Sequence, residues 1–259
     1  MNNSLSEKFM KLVEIMDRLR KECPWDKEQT HESLRKYILE EAYEVVETID
    51  KHNWDELGEE LGDLLLQVVF QAAIGKETGK FSLESIIETL NNKLIERHPH
   101  IFGNKKVHSA KDVQINWEQI KIKNSNRKSL MEGIPSTAPA LLRAQRIQER
   151  AAKVSFDWSQ LSDVVDKLAE ELQELKSAIS KNKQKQIEEE MGDILFSLVN
   201  ISRFLDISAE DSLRKSNEKF IRRFKYIEEA YDNNYDQMKK AGLDELDKKW
   251  EEAKKREGL

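Results

Sequence analysis

Cysteine is almost missing from this chain. Cys23 stands alone among 259 residues, so no internal disulfide can form, and a reducing cytoplasm is the expected setting. Proline and glycine are scarce too, at 4 and 9 residues, which leaves little to interrupt long helices. No apolar run approaches the roughly 18 residues of a membrane-spanning helix, and no signal-peptide-like start is evident, so no membrane partner is expected. Positive charge is in deficit: 43 Lys and Arg against 49 Asp and Glu give a net charge of −6. A general nucleic-acid binder normally carries the opposite, a basic footprint, and none is expected here. A small phosphorylated ligand stays compatible with this balance, because a bound metal ion reverses the local field.

Alternating β-branched runs are also lacking, so the chain reads as all-α. Charged residues make up 36% of it, with Glu and Lys mixed at three- and four-residue spacing as on solvated helix faces. The spacing predicts helices over about 4–22, 30–51, 54–79, 82–98 and 110–123. A second set is predicted over about 138–153, 159–181, 184–205, 208–239 and 243–257. Asn53 is the expected N-cap of the third helix. The segment 124–137, rich in Ser, Pro and Gly, reads as a linker between a domain over 1–123 and another over 138–259.

What the chain does contain, it contains twice. Glu40-Glu41-x-x-Glu44 followed by Glu60-x-x-Asp63 recurs as Glu170-Glu171-x-x-Glu174 followed by Glu190-x-x-Asp193. Glu170 follows Glu40 by 130 positions, and the other four residues are displaced equally. The repeat extends further. Phe156-Asp157 echoes Trp25-Asp26, Lys219 and Arg223 echo Lys93 and Arg97, and Trp250 echoes Trp117.

Residues three apart on a helix share a face, so Glu41 and Glu44 project together, as do Glu60 and Asp63. Two such helices side by side bring four carboxylates into one volume, enough oxygen for one or two Mg²⁺ ions. A solvated helix face is the plain alternative for Glu-Glu-x-x-Glu by itself. The apolar neighbours weigh against it. On a helical wheel Glu41 lies at the edge of the arc formed by Leu34, Ile38, Ala42, Val45 and Ile49, whereas Glu40 points away. Asp63 runs directly into Leu64, Leu65, Leu66, Val68, Val69 and Phe70, and Asp193 into a similar string. Both helices are therefore expected to be buried, with no Lys or Arg between Trp54 and Ile74. Unpaired buried carboxylates cost several kcal/mol each, and a cation removes that cost.

Given a metal, the basic pairs Lys93/Arg97 and Lys219/Arg223 become candidates for phosphate contacts. Trp117 and Trp250 become candidates for stacking on a nucleobase, with core packing as an equal alternative. Glu28-x-x-His31 lacks the second half of a di-iron signature and reads as chance. His98, His100 and His108 have no ligand-like spacing. No glycine-rich phosphate loop is present.

The acidic signature resembles that of the MazG nucleoside triphosphate pyrophosphohydrolases, and it is shared with the all-α dUTPases and phosphoribosyl-ATP pyrophosphohydrolases. Further strings are specific to MazG proteins of tandem type: Cys23-Pro24-Trp25-Asp26-Lys27-Glu28-Gln29-Thr30, Glu60-Leu61-Gly62-Asp63-Leu64-Leu65, Arg97-His98-Pro99-His100 and Phe156-Asp157-Trp158. The resemblance implies two tandem four-helix MazG-type domains, a homodimer, and Mg²⁺-dependent cleavage of nucleoside triphosphates between the α and β phosphates. It implies metal ligation by Glu171, Glu174, Glu190 and Asp193, with Glu41, Glu44, Glu60 and Asp63 as first-half counterparts. It also implies nucleotide contacts from Lys219, Arg223 and Trp250, with Lys93, Arg97 and Trp117 as equivalents. In that scheme Mg²⁺ orients the triphosphate and activates a water, while Lys219 and Arg223 hold the charge of the departing pyrophosphate. Glu170 is the candidate proton acceptor. The second half is favoured as the active one, because Arg222 adds a positive charge there. A narrower nucleotide preference and a non-catalytic helical interaction module are the rival readings.

Overall fold

A computed structural model describes residues 4–107, 109, 112–113 and 129–258. Among these every regular element is a helix. The chain divides into two compact units, residues 1–125 and 126–259. In the first, α1 spans Leu5–Glu22, α2 Pro24–Glu28, α3 Arg35–Asp50, α4 Trp54–Glu77, α5 Leu83–Arg97 and α6 Pro99–Phe102. In the second, α7 spans Ala140–Ala152, α8 Leu161–Ser180, α9 Gln184–Phe204, α10 Ala209–Ala230 and α11 Tyr235–Arg256.

Local chemistry sets the helix ends. Ser4 and Glu7 form a capping box that opens α1, satisfying two of the otherwise unpaired amides. Asn53 caps α4, its Oδ1 accepting from the Glu56 amide at 3.4 Å, as expected. The first acidic helix starts later than its periodicity predicts, at Arg35 instead of 30. Thr30 and Ser33 exchange side-chain bonds with each other's amides at 2.9 and 3.2 Å, and such local bonds compete with a helix. Pro24 starts the extra helix α2, where a missing amide costs nothing.

The predicted helix over 208–239 is two helices. It stops at Ala230, and Asp232 and Asn233 adopt left-handed φ of 53° and 57°. Asn234 then caps α11 by accepting from the Gln237 amide at 3.1 Å. The charge pattern runs unbroken across this turn, so periodicity alone hides it. The break predicted near 239–243 exists as a kink inside α11 at Gly242, whose φ of 73° suits a residue without Cβ. The helix predicted over 110–123, together with Trp117, lies largely outside the described residues.

In the first unit, α3 and α4 lie side by side. Met16, Leu34, Val69, Phe70, Ala73 and Ile74 form the core. Gly75 lets Phe81 close over α4; a Cβ there would sit 2.3 Å from the ring. Arg20 ties this core to the loop before α3. It donates to the carbonyls of Asp26 and Gln29, to Glu77 Oε1 at 2.8 Å, and lies over the Phe70 ring. In the second unit α8 and α9 form the matching pair, with Val164, Ala178, Ile194 and Val199 buried. Part of the predicted linker is bound to this unit, since Arg150 donates to the carbonyls of Leu130 and Glu132, both at 2.6 Å.

The expectation that the Asp63 and Asp193 helices are buried holds on one face only. Val69, Phe70 and Ala72 are buried, while Leu61, Leu65 and Val68 on the other face are exposed. In α9, Ile194 and Val199 are buried, and Met191, Leu195 and Leu198 are exposed. The surrounding helices of a single unit cover one side of each pair and leave the other to solvent.

Arg20 has a side chain only 8% exposed, so its removal leaves two carbonyls and Glu77 without their donor. We expect Arg20→Ala to destabilise the first unit by about 2–3 kcal/mol, read from denaturant unfolding. The exposed Arg18, paired to Glu22 within its own helix, serves as a control that should change little.

Candidate functional site

The repeated carboxylates meet in space. In the first unit, ligand atoms of Glu41, Glu60 and Asp63 lie within 4.8 Å of one another; in the second, those of Glu171, Glu174 and Glu190 do the same. The fourth carboxylate of each set is near enough to act on others of its group. Glu44 acts electrostatically on both Glu41 and Glu60, and Asp193 acts on Glu190. Each cluster is built by two neighbouring helices, α3 with α4 and α8 with α9, that present i, i+3 pairs toward each other.

Electrostatically these clusters are unfinished. Burial, then the charges of Asp63 and Glu44, pushes the Glu41 carboxyl above its usual range. Burial, then Glu44 and Asp63, does the same to Glu60. Burial again leads for Glu190, followed by Glu174, Glu171 and Asp193. A concentration of negative oxygen donors is what a hard divalent cation takes, so these residues fit such an ion. Among the described residues no other group of three or more potential ligands is brought together in this way.

The two Glu-Glu pairs behave as the wheel predicts. Glu171 is 5% exposed, and Glu41 is half-buried. Glu40 and Glu170 face solvent. Glu170 is outside the cluster and accepts from Lys167 at 2.9 Å. Lys167 also pairs with Glu171 at 2.9 Å. Lys167 lies outside the repeated acidic motif, and its i, i+4 spacing to Glu171 is the one sequence signal that points to it.

The second unit also gathers part of its basic set. Arg223 is buried, lies over the Trp250 ring at 5.6 Å, and donates to Glu257 Oε2 at 2.7 Å. Arg222 donates to the other oxygen of Glu257 at 2.6 Å, so its charge is partly compensated where the sequence offered it as an added cation. Phe220 packs on Trp250 with ring centroids 5.0 Å apart, while Lys219 is exposed one turn before Arg223. Trp250 therefore has packing partners as well as an aromatic face. In the first unit Lys93 is exposed and Arg97 half-buried on α5, and Trp117 lies outside the described residues. His31 meets Gln71 through Nδ1 and sits beside Phe81. His98 and His100 lie 5.6 Å apart, ring to ring.

A raised carboxyl pKa means that the folded state holds its proton more tightly than the unfolded state. The contribution to stability is then lost as pH rises from the ordinary value of 4.5 through the raised one. In chelator at pH 7.5, Glu60→Gln is therefore expected to melt at a higher temperature than the parent chain. The advantage should vanish near pH 4, where Glu60 is protonated anyway. A lower melting temperature for Glu60→Gln at pH 7.5 would contradict the like-charge reading.

Comparison with known proteins bears on what these clusters are for. Residues 29–102 and 160–227 each match the MazG nucleotide pyrophosphohydrolase domain, and each segment contains one carboxylate cluster. The nucleoside triphosphate pyrophosphohydrolase/pyrophosphatase MazG of Thermotoga maritima is 47% identical over 95% of this chain and 95% of its own length. The nucleoside triphosphate pyrophosphohydrolase of Escherichia coli strain K12 is 42% identical over 95% of this chain and 97% of its own. A crystal structure of a mazG-related protein from Thermotoga maritima is 30% identical, covering 44% of this chain and 98% of that one, with a TM-score of 0.40. With two matched segments and near full-length relatives, this chain belongs to the MazG nucleotide pyrophosphohydrolase family.

Proposed function

We propose that this chain hydrolyses nucleoside and deoxynucleoside triphosphates between the α and β phosphates, releasing monophosphate and pyrophosphate, with broad tolerance of the base. The observation that carries the reading is the pair of oxygen-only clusters, each on two neighbouring helices. Family membership supports it, as do the curated relatives named for this activity. Mg²⁺ is the proposed metal, held by Glu171, Glu174, Glu190 and Asp193 in the second unit and by Glu41, Glu44, Glu60 and Asp63 in the first. When bound, it supplies charge neutralisation at the phosphates and activation of water.

The chain's own residues do the rest. Arg223, with Lys219 one turn away, offers positive charge for the phosphates. Glu257 fixes the Arg223 guanidinium against Trp250, so that charge is held in place before substrate arrives. Lys93, Arg97 and Trp117 are the proposed counterparts in the first unit. Charge and an aromatic face distinguish bases poorly, which supports broad specificity. For Glu170 to accept the water's proton, its contact with Lys167 would have to break, which makes it a weaker candidate than its position in the motif suggests.

Two features suit the proposed setting. Among the described residues no helix is long and apolar enough to cross a membrane, and a single free cysteine accords with the cytoplasm. We also propose that the protein works as a homodimer. Leu61, Leu65 and Val68 line the uncovered face of α4, and Leu39 and Tyr43 are exposed on α3. A stripe of this kind on paired helices suits burial against a second copy.

The second unit is the proposed active one. Glu174→Gln should lower pyrophosphate release from ATP roughly 10²- to 10³-fold, while Glu44→Gln should cost less than about tenfold. Equal activity in both variants and the parent would remove the metal assignment. Leu65→Glu should shift sedimentation from dimer to monomer; an unchanged dimer would place the interface elsewhere.

A further inference from the structure

A basic side chain reaches one of the two carboxylate clusters from within its own helix. Four residues before Glu171, one helical turn away, Lys167 Nζ lies 2.9 Å from Glu171 Oε1 and 2.9 Å from Glu170 Oε1. The Glu171 side chain is 7% exposed and that of Lys167 34%. An exposed i, i+4 pair of this type would matter little. Here one partner is almost fully withdrawn from solvent, and the same ammonium serves two carboxylates, so the pair is weakly screened.

The first unit has no such cation at the corresponding position. Tyr37 stands there, four residues before Glu41, with the Lys36 ammonium over its ring at 4.6 Å and the Trp25 ring in a T-shaped contact at 6.2 Å. The largest charges acting on Glu41, on Glu60 and on Glu190 are all carboxylates, so the difference between the units lies at Glu171, where the Lys167 ammonium is seated. A divalent ion entering the first cluster meets uncompensated oxygens. One entering the second must first displace an ammonium already seated on Glu171.

We propose that Lys167 is a built-in competing cation that makes the second unit's carboxylate site the weaker of the two for free divalent metal. The two units of one chain then fill at different cation concentrations. Between those concentrations the first unit is loaded, while the second is kept free of metal by its own lysine. This inference rests on reading both clusters as metal sites.

The test uses the full chain, stripped with chelator and titrated with Mn²⁺ in the absence of nucleotide, with free Mn²⁺ followed by its paramagnetic resonance signal. The parent chain should show two classes of site, separated roughly three- to tenfold in affinity. Glu60→Gln should remove the tighter class and Glu190→Gln the weaker one. Lys167→Met should tighten the weaker class toward the other, whereas Lys167→Arg should leave it weak. The proposal is overturned if Lys167→Met leaves the weaker class unchanged, or if Glu60→Gln removes the weaker class. Failure of the metal reading looks different: neither Glu60→Gln nor Glu190→Gln would then alter Mn²⁺ binding at all.

Discussion

Mutual repulsion among carboxylates is the constraint on which the two halves of this protein turn. Three acidic side chains with ligand atoms within 4.8 Å of one another oppose folding unless something positive joins them. The helices around them tolerate this because their apolar faces supply the compensating stability. Val69, Phe70, Ala73 and Ile74 anchor α4 a few turns beyond Asp63, while in α9 Ile194 follows Asp193 directly and Val199 lies under two turns on. Stability gained on the apolar face of each helix is given up where the carboxylates converge. Such a division is expected where a site must be ready for a ligand that is not yet present.

Much of this was legible in the chain because it depends on local spacing. The i, i+3 carboxylates, the wheel positions of Glu40 and Glu41, and the Asn53 cap each follow from helix geometry within a few residues. What the sequence hides mostly spans greater distance along the chain. Arg20 meets Glu77 across 57 residues and Arg223 meets Glu257 across 34, and no periodic pattern announces either. The turn at Asp232–Asn233 is a different kind of miss. Charged residues continue on both sides of it, so the helical period survives while the backbone reverses into left-handed φ.

Expectation and structure part most clearly over burial. A string such as Leu64-Leu65-Leu66 with Val68, Val69 and Phe70 reads as a helix covered all round, yet a helix inside one small unit has neighbours on only part of its circumference. Composition reports how much apolar surface exists and is silent on which chain covers it. Leu61, Leu65 and Val68 are thus as informative as the buried residues. They place apolar surface on the same helix pairs that carry the carboxylates, so the proposed association and the proposed metal binding would draw on the same two helices of each unit.

Duplication preserved the acids and altered what surrounds them. Tyr37 and Lys167 occupy equivalent positions one turn before the first ligand-like glutamate of each half. One contributes an aromatic ring to a cluster of rings, the other a charge to the carboxylates. A neutral neighbour leaves the repulsion intact and so favours any cation that arrives. A tethered ammonium relieves the repulsion in advance, and the relief must be surrendered before a metal can take its place. Repeated carboxylates therefore need not make equivalent sites, because affinity is set by the difference between the empty and the filled state. Under the proposed metal reading, that difference would be governed by a residue outside the repeated motif.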